Sequence, residues 1–144
     1  MMKPLVMLVD DEVPFVETMT KRLSKRDLKI ITAFSGEEAL ELLDVNRNTD
    51  VVILDVKMPG MNGIEALERI RKLFPLVEVI MLTGHATVET AIEGMKMGAY
   101  DYLVKPAATA DLSAKITKAH KLKAAHEERI RKAEINGIIR RRGW

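Results

Sequence analysis

Four short apolar runs of this chain end in polar residues whose types suit phosphoryl chemistry. These polar ends are Asp10-Asp11, Asp55, Thr83 and Lys105-Pro106. Three acidic side chains in one place need a cation, and Mg²⁺ fits a site that keeps coordination places for water and a phosphate. A carboxylate can attack phosphorus, and a lysine can neutralise the charge of a phosphoryl group. Together these residues predict phosphoryl transfer onto a carboxylate.

The elements that must position these residues alternate between strand-like apolar runs and helical patterns. The first predicted helix, Val13–Lys25, carries Phe15, Val16, Met19 and Leu23 on one apolar stripe. The strand-like runs are Leu5–Val9, Leu28–Ala33, Val51–Leu54, Val77–Leu82 and Tyr100–Val104. Strands and helices joined by short loops predict an α/β fold with a doubly wound, five-stranded parallel sheet. Because the carboxyl ends of neighbouring parallel strands open on one crevice, the polar ends should meet there.

The acidic strand ends each allow a simpler structural interpretation. The Asp10-Asp11-Glu12 segment could cap the first helix, although three caps in a row do not account for the polar ends of the other strands. No glycine-rich phosphate loop occurs there. Asp55 could be a turn residue, but Met58-Pro59-Gly60 already supplies a turn. The Asp-x-Asp pattern of haloacid-dehalogenase-type phosphatases is missing, because Lys57 stands where the second acid would be.

Thr83 and Lys105 have structural interpretations as well. Thr83 could cap the helix that follows it, although Thr87 could serve that role equally well. A lysine before a proline is most often a surface residue. The bond before Pro106 is a candidate for cis geometry, which would fix the direction of the lysine side chain. The chemical interpretation therefore depends on the coincidence of polar residues at four strand ends.

The composition indicates one ordinary domain and excludes some kinds of site. The chain has 144 residues, enough for one core, and no cysteine, which excludes disulfides and thiolate catalysis. No apolar run approaches the length of a membrane span, and the N-terminus does not follow the signal-peptide pattern. We therefore expect a cytoplasmic protein without a membrane partner. His85, His120 and His126 form no ligand set and are interpreted as exposed residues.

The C-terminal segment differs in charge from the rest of the chain. Residues 111–144 carry 10 Lys and Arg against 4 Asp and Glu, a net charge of +6, whereas residues 1–110 carry 13 against 17, a net charge of −4. A final helix is predicted from about Asp111 to about Ile135, where Asn136-Gly137 would end it. Its apolar seam meets Lys123 and His126, which does not favour a sustained coiled coil. We divide the chain into a domain of residues 1–122 and a basic, protruding helical extension of residues 123–144.

As a set, the polar strand ends resemble the receiver domain of bacterial two-component response regulators. The resemblance covers residues 3–122 in the order and spacing of the family, in the segments Leu8–Glu12, Asp55–Gly63, Thr83–His85 and Gly98–Pro106. It implies a flavodoxin-like strand order of 2-1-3-4-5. The segments Thr87–Thr90 and Gly98–Pro106 are most similar to receivers attached to σ54-dependent activators. No ATPase or DNA-binding pattern follows, so we expect a stand-alone receiver, residues 1–122, with its extension.

The resemblance assigns roles in the phosphoryl site. Asp55 corresponds to the phosphoacceptor, and Lys105 to the lysine that pairs with the phosphoryl group. Asp10, Asp11, Asp55 and the backbone carbonyl of Lys57 correspond to the ligands of Mg²⁺, the expected cofactor.

The resemblance also assigns a conformational switch. Thr83 corresponds to the hydroxyl that moves onto the phosphoryl group, and Tyr102 to the aromatic residue that turns inward when it does. Lys57 and His85 stand where family members tune the lifetime of the acyl phosphate. The fourth helix, fifth strand and fifth helix correspond to the usual partner-binding face.

The function implied is that of a phosphoacceptor in a two-component phosphorelay. A histidine kinase or phosphotransfer protein would phosphorylate Asp55, and the output would be binding to a downstream protein, with homodimer formation through the extension as a further expectation. The protein would catalyse only its own phosphorylation and dephosphorylation, and nucleic acid is not an expected partner. Two alternatives stay open: the receiver portion of a DNA-binding transcriptional regulator, whose basic extension could contact nucleic acid, and an enzyme acting on a small phosphorylated substrate.

Overall fold

Strands and helices alternate strictly along the chain. The computed structural model describes residues 3–141. Its elements are β1 (Leu5–Val9), α1 (Val13–Ser24), β2 (Lys29–Ala33), α2 (Gly36–Val45), β3 (Val51–Leu54), α3 (Gly63–Leu73), β4 (Glu78–Thr83), α4 (Val88–Lys96), β5 (Asp101–Val104) and α5 (Thr109–Arg141). Every strand predicted from the apolar runs is present, with ends that differ by at most one residue.

The five strands form one parallel sheet in the order β2-β1-β3-β4-β5. The predicted doubly wound α/β architecture and strand order are therefore confirmed. The register sets the carboxyl ends of β1 and β3 level with each other, and likewise those of β4 and β5. Val9 pairs with Leu54, which places the residues after β1 and β3 side by side. Thr83 pairs with Val104, which places Lys105, the residue after β5, beside the carboxyl end of β4.

Alternate residues of the central strands point to opposite faces of the sheet, and each face has its own apolar core. One core contains Met7, Leu54 and Met81, and α2 and α3 pack on it. The other contains Leu8, Ile53 and Leu82, and α1 and α5 cover it. Apolar burial of central strands on both faces explains why their sequences are continuous apolar runs. It also leaves the strand ends as the places where polar groups can collect.

Helix α5 is longer than the sequence predicted. It begins at Thr109 and continues to Arg141, so the prediction that Asn136-Gly137 would end it is wrong. A glycine inside a helix costs about 1 kcal/mol, which does not stop a helix whose backbone bonding can continue on both sides. The proposed domain boundary between residues 122 and 123 falls inside this continuous helix and stays a prediction.

A second group of charges gathers at the amino end of the sheet, and we call Asp50, His120, Lys123 and Glu127 the foot cluster. Asp50 precedes β3 and accepts a hydrogen bond from the Leu5 N–H at 2.9 Å. Lys123 Nζ lies 3.1 Å from carboxylate oxygens of both Asp50 and Glu127. His120 Nε2 lies 3.8 Å from Asp50. His120 is half-buried in this cluster, so its interpretation as an ordinary exposed residue is wrong.

Candidate functional site

Three carboxylates meet at the carboxyl end of the sheet. Asp10 and Asp11 follow β1 and Asp55 follows β3, so the register of these two strands brings them together. One carboxylate oxygen of each lies within 4.8 Å of the others. Asp10 is 1% exposed and Asp55 2% exposed, whereas Asp11 is more open to solvent. Convergent carboxylate oxygens are the hard donors that Mg²⁺ prefers, so this donor set fits Mg²⁺.

The buried Asp10 carboxylate is shared between the backbone and a lysine. Its Oδ1 accepts a hydrogen bond from the Glu12 N–H at 2.9 Å, and its Oδ2 accepts one from Lys105 Nζ at 2.7 Å. Burial raises the pKa of Asp10, and the nearby Asp55 charge raises it further, while the Lys105 and Glu12 hydrogen bonds lower it. The net effect is a raised pKa, because one lysine does not compensate for burial beside other acids.

Lys105 supplies the positive charge that faces these acids. Its Nζ is 3.3 Å from Glu12 as well as 2.7 Å from Asp10, and it lies 3.9 Å from the centroid of the Phe15 ring. Burial lowers the pKa of Lys105, but its bonds to Asp10 and Glu12 and the charge of Asp55 more than offset this, so the pKa is raised. The Lys105-Pro106 peptide bond is cis. We call Asp10, Asp11, Glu12, Asp55 and Lys105 the cleft cluster.

The Asp55 backbone is held by an unusually close approach of α3. The Gly63 N–H donates to the Val56 carbonyl at 2.7 Å. A Cβ atom added to Gly63 would lie 1.9 Å from the Asp55 carbonyl oxygen, far inside contact distance. Asp55 Oδ1 accepts a hydrogen bond from the Val56 N–H at 2.9 Å. Glycine at position 63 is therefore needed for the backbone that carries Asp55, whereas the sequence indicated only a turn.

Thr83 ends β4 as a fully buried residue, 0% exposed. Its Oγ1 accepts a hydrogen bond from the His85 N–H at 3.0 Å. The cap of α4 is Thr87, whose Oγ1 accepts from the Thr90 N–H, while Thr90 Oγ1 accepts from the Thr87 N–H. Thr83 is therefore not the cap of α4.

Tyr102 connects the fifth strand to that cap. Its hydroxyl lies 2.7 Å from Thr90 Oγ1. A Cβ atom at Gly94 would lie 3.5 Å from the Tyr102 ring, which shows how closely the ring packs along α4. Sequence reasoning missed Thr90, and the Thr-x-x-Thr spacing at the start of a helix is the signal that could have indicated the cap. The two predicted switch residues thus occupy neighbouring strands, β4 and β5.

The side chain of Lys57 does not join the three carboxylates. It is exposed, and it contributes with His85 to the wall of an open cleft beside the site. The lining of this cleft is Asp11, Glu12, Lys57, Met58, Pro59 and His85. Lys57 directly follows the Asp55-Val56 pair, so its backbone is close to the acids in sequence. Its assigned role as a carbonyl ligand stays a prediction.

Comparisons with known proteins identify relatives among response regulators. The family model described as response regulator receiver domain matches residues 6–117. The transcriptional regulatory protein ZraR of Escherichia coli is 37% identical over 114 residues, which are 79% of this chain and 26% of ZraR. The DNA-binding transcriptional regulator NtrC of Escherichia coli is 34% identical over 106 residues, 74% of this chain and 22% of NtrC. The chain thus spans about a quarter of the length of these relatives.

Solved structures show the same similarity in three dimensions. A response regulator receiver domain protein from Clostridium thermocellum superimposes with a TM-score of 0.81 at 36% identity, covering 85% of this chain and 98% of that one. Within residues 3–141, no helix is long and apolar enough to cross a bilayer.

Proposed function

The chain belongs to the family of response regulator receiver domains of two-component systems, and we propose from this premise that Asp55 is its phosphoacceptor. The observation that carries the proposal is the meeting of Asp10, Asp11 and Asp55 with Lys105 at one end of the sheet. An Asp55 oxygen would attack phosphorus, and the bond from phosphorus to the donor would break. The electron pair would leave with the donor, the imidazole of a kinase phosphohistidine or the acetate of acetyl phosphate. Mg²⁺, when bound, would neutralise phosphoryl oxygens during this transfer.

The chain's own residues supply the rest of the mechanism. Asp55 Oδ1 accepts from the Val56 N–H, so we assign the nucleophilic role to Oδ2. Asp10, Asp11 and the Lys57 carbonyl would complete the metal ligands. Lys105 would exchange its bond to the exposed Glu12 for a phosphoryl oxygen, and the transfer would depend mainly on positioning and electrostatics. In this proposal the protein catalyses only its own phosphorylation and dephosphorylation.

Thr83 and Tyr102 would couple phosphorylation of Asp55 to a conformational change at the protein surface. Thr83 Oγ1 already accepts from the His85 N–H, so its own proton can be given to a phosphoryl oxygen. Movement of Thr83 would open space for Tyr102, which would then leave Thr90 and the cap of α4. The phosphoryl group would in this way bias a two-state equilibrium of α4 and β5.

A protein target is the output that we propose. Large apolar side chains are exposed along α4 and β5, namely Val88 (73%), Ile92 (51%), Met95 (47%) and Val104 (55%). Grouped apolar exposure of this kind marks protein interaction sites. The donor would be a histidine kinase or phosphotransfer protein, and a cytoplasmic location follows from such partners. A homodimer through the exposed Ile130, Ile135 and Ile138 of α5 is a further proposal.

The phosphoacceptor is tested by mass spectrometry of the intact protein after incubation with acetyl phosphate and Mg²⁺. The wild-type chain should gain one phosphoryl group, and Asp55→Asn should gain none, because an amide is not a nucleophile toward phosphorus. Asp44→Asn is the matched control, since Asp44 is an exposed acid near the end of α2 that pairs with Arg47. Phosphorylation of Asp55→Asn at the wild-type rate would contradict the assignment.

A second candidate function is favoured by the names of the relatives. ZraR is a transcriptional regulatory protein and NtrC a DNA-binding transcriptional regulator, and this chain matches about a quarter of each. It could therefore be the receiver portion of such a regulator. Deletion of residues 124–144, with duplex DNA binding measured at physiological salt, separates the candidates. Sequence-specific binding that is lost on deletion would favour the transcriptional regulator, whereas weak binding that disappears as salt rises would reflect only the basic charge of the extension.

A further inference from the structure

The face of an aromatic ring lies against the ammonium group of Lys105. Phe15, in the first turn of α1, is half-buried, and its ring centroid is 3.9 Å from Lys105 Nζ. The other pair of this kind in residues 3–141, Arg47 over Phe74, is separated by 5.4 Å. Two carboxylates contact the same ammonium, at 2.7 Å from Asp10 and 3.3 Å from Glu12. Lys105 is therefore enclosed by carboxylates and an aromatic face together.

The surroundings make this contact stronger than one on an open surface. The Lys105 side chain is 14% exposed and the Asp10 side chain 2% exposed. Attraction between an ammonium and the face of a ring operates within about 6 Å and grows as water is removed. A hydrogen bond fixes an ammonium in one direction, but a ring face is a broad surface of favourable potential. An ammonium can therefore move across the ring and exchange one anionic partner for another without leaving it.

We propose that Phe15 is a positioning residue, whose ring face holds the Lys105 ammonium at the strand ends within reach of a phosphoryl group on Asp55. This inference rests on the proposed function of Asp55 and Lys105. While the acceptor is free, the ring and Asp10 retain the ammonium. When the phosphoryl group arrives, the ammonium turns from Glu12 to a phosphoryl oxygen and keeps its contact with the ring. Phe15 acts through Lys105 and does not touch the reacting atoms.

The competing explanation is that Phe15 only packs in the core. Its ring does lie against the apolar core beneath α1 and α5. A purely structural role would lower stability in any variant of reduced volume, and it would not depend on the charge distribution of the ring or on the presence of Lys105. Replacement by 3,4,5-trifluorophenylalanine changes the charge distribution and nearly keeps the shape, so it separates the two explanations even if Phe15→Leu folds poorly.

The first experiment measures the rate at which acetyl phosphate and Mg²⁺ phosphorylate the full chain. Trifluorophenylalanine at position 15 and Phe15→Leu should each slow the reaction about threefold to tenfold, and Phe15→Trp should restore most of the rate. In a Lys105→Met background, which is slow itself, the same changes at position 15 should have no further effect, because the ammonium is gone. Equal slowing in both backgrounds, or a wild-type rate with the fluorinated ring, would overturn the proposal.

The second experiment needs no phosphorylation, so it distinguishes failure of this proposal from failure of the proposed function. In the nuclear magnetic resonance spectrum of the unphosphorylated protein, the ring should shift the Lys105 Cε protons upfield. Phe15→Leu should remove that shift and leave the Cε protons of Lys115 unchanged, since Lys115 pairs with Asp101 instead. Lys105 Cε protons at ordinary positions in the wild-type chain would refute the positioning role, whatever the rate of phosphorylation. An upfield shift without any phosphorylation would refute the phosphoacceptor function instead.

Discussion

At each end of the central sheet a lysine binds an aspartate. Lys105 Nζ is 2.7 Å from Asp10 in the cleft cluster, and Lys123 Nζ is 3.1 Å from Asp50 in the foot cluster. Both lysine side chains are largely buried, at 14% and 7% exposed. The residue types, distances and burial are thus alike, and the two pairs differ in the charges around them.

The foot cluster has one ammonium group for two carboxylates, whereas the cleft cluster has one ammonium group for four. At the foot, Asp50 accepts a hydrogen bond from the Leu5 N–H and binds the Lys123 ammonium, and His120 Nε2 lies 3.8 Å from it. In the cleft, Lys105 is the one lysine that forms ion pairs with the clustered acids in the described part of the chain. We therefore interpret the lysine–aspartate pair at the foot as structural, and we expect the pair in the cleft, where acids are in larger excess, to belong to a cation and phosphoryl site.

Moving the backbone of the cleft should have the largest effect. Gly63→Ala would place a Cβ atom 1.9 Å from the Asp55 carbonyl, and we expect a loss of about 3 kcal/mol or more in the free energy of unfolding. Urea denaturation measures it. Gly84→Ala is the matched control, because its Cβ would meet only the Lys105 side chain, at 3.9 Å. Equal stability of the two variants would contradict a rigid support beneath Asp55.

The structural role that we assign to the foot cluster is tested by removing its lysine. Lys123→Met leaves Asp50 partly buried without its ammonium, so we expect the free energy of unfolding to fall by about 1–3 kcal/mol. Phosphorylation by acetyl phosphate should proceed at the wild-type rate. Lys121→Met, an exposed site on the same helix, should change stability by less than about 0.5 kcal/mol. A slower phosphorylation of Lys123→Met at full stability would show that the two ends are not independent.

Magnesium should distinguish the two ends directly. A cation that binds only the folded chain stabilises it by about 1.4 kcal/mol at roughly ten times its dissociation constant. The thermal midpoint should therefore rise with Mg²⁺ in the wild-type chain and in Asp50→Asn, although the latter begins lower. Asp11→Asn should need much more Mg²⁺ for the same rise. Identical magnesium responses of Asp11→Asn and the wild-type chain would remove Asp11 from the metal site.

The smallest effect concerns an exposed acid in the first turn of α2, which binds the loop between β3 and α3. Glu37 Oε1 accepts from the Met61 N–H at 2.9 Å, and backbone hydrogen bonds, its own first and that of Met61 next, lower the pKa of Glu37. Because the folded pKa is lowered, this contribution to stability is present above the unfolded pKa and is lost as pH falls through the folded one. Glu37→Gln should therefore be slightly less stable than the wild type at neutral pH. Urea denaturation curves should converge below the folded pKa, and a difference that grew with acidity would reverse the assignment.

The fold could be predicted because its signals are local. Each strand is an apolar run, each loop is short, and two apolar faces leave few ways to arrange five βα units. The end of α5 was predicted wrongly because Asn136-Gly137 is a weak stop signal in a segment that can continue as a helix. The preference for ending a helix at such a residue is worth about 1 kcal/mol, and other contributions to helix stability easily reverse it.

The residues of the candidate site that lie at strand ends could be predicted from the sequence. The contacts between side chains of distant segments could not. The polar residues at strand ends were named because topology brings such positions together. The contact of Phe15 with Lys105 and the bond of Lys123 to Asp50 join residues far apart in the chain, and no local pattern marks them. From the sequence, Lys123 was interpreted as an interruption of the apolar seam of the helix. In the structure Lys123 is buried, and its charge is paired with Asp50. Pairing between side chains of different elements is set by the tertiary structure, which local sequence patterns do not indicate.

The length of α5 gives the molecule the geometry of a lever. Lys123 is the last buried residue among the α5 side chains that the structure describes, and the helix continues for about 27 Å beyond it, at 1.5 Å per residue. With Lys123 as the fulcrum, a tilt of ten degrees would carry the end of a straight helix through about 5 Å, or one helical turn. A change too small to disturb the core would thus become, at that distance, a displacement as large as a side chain.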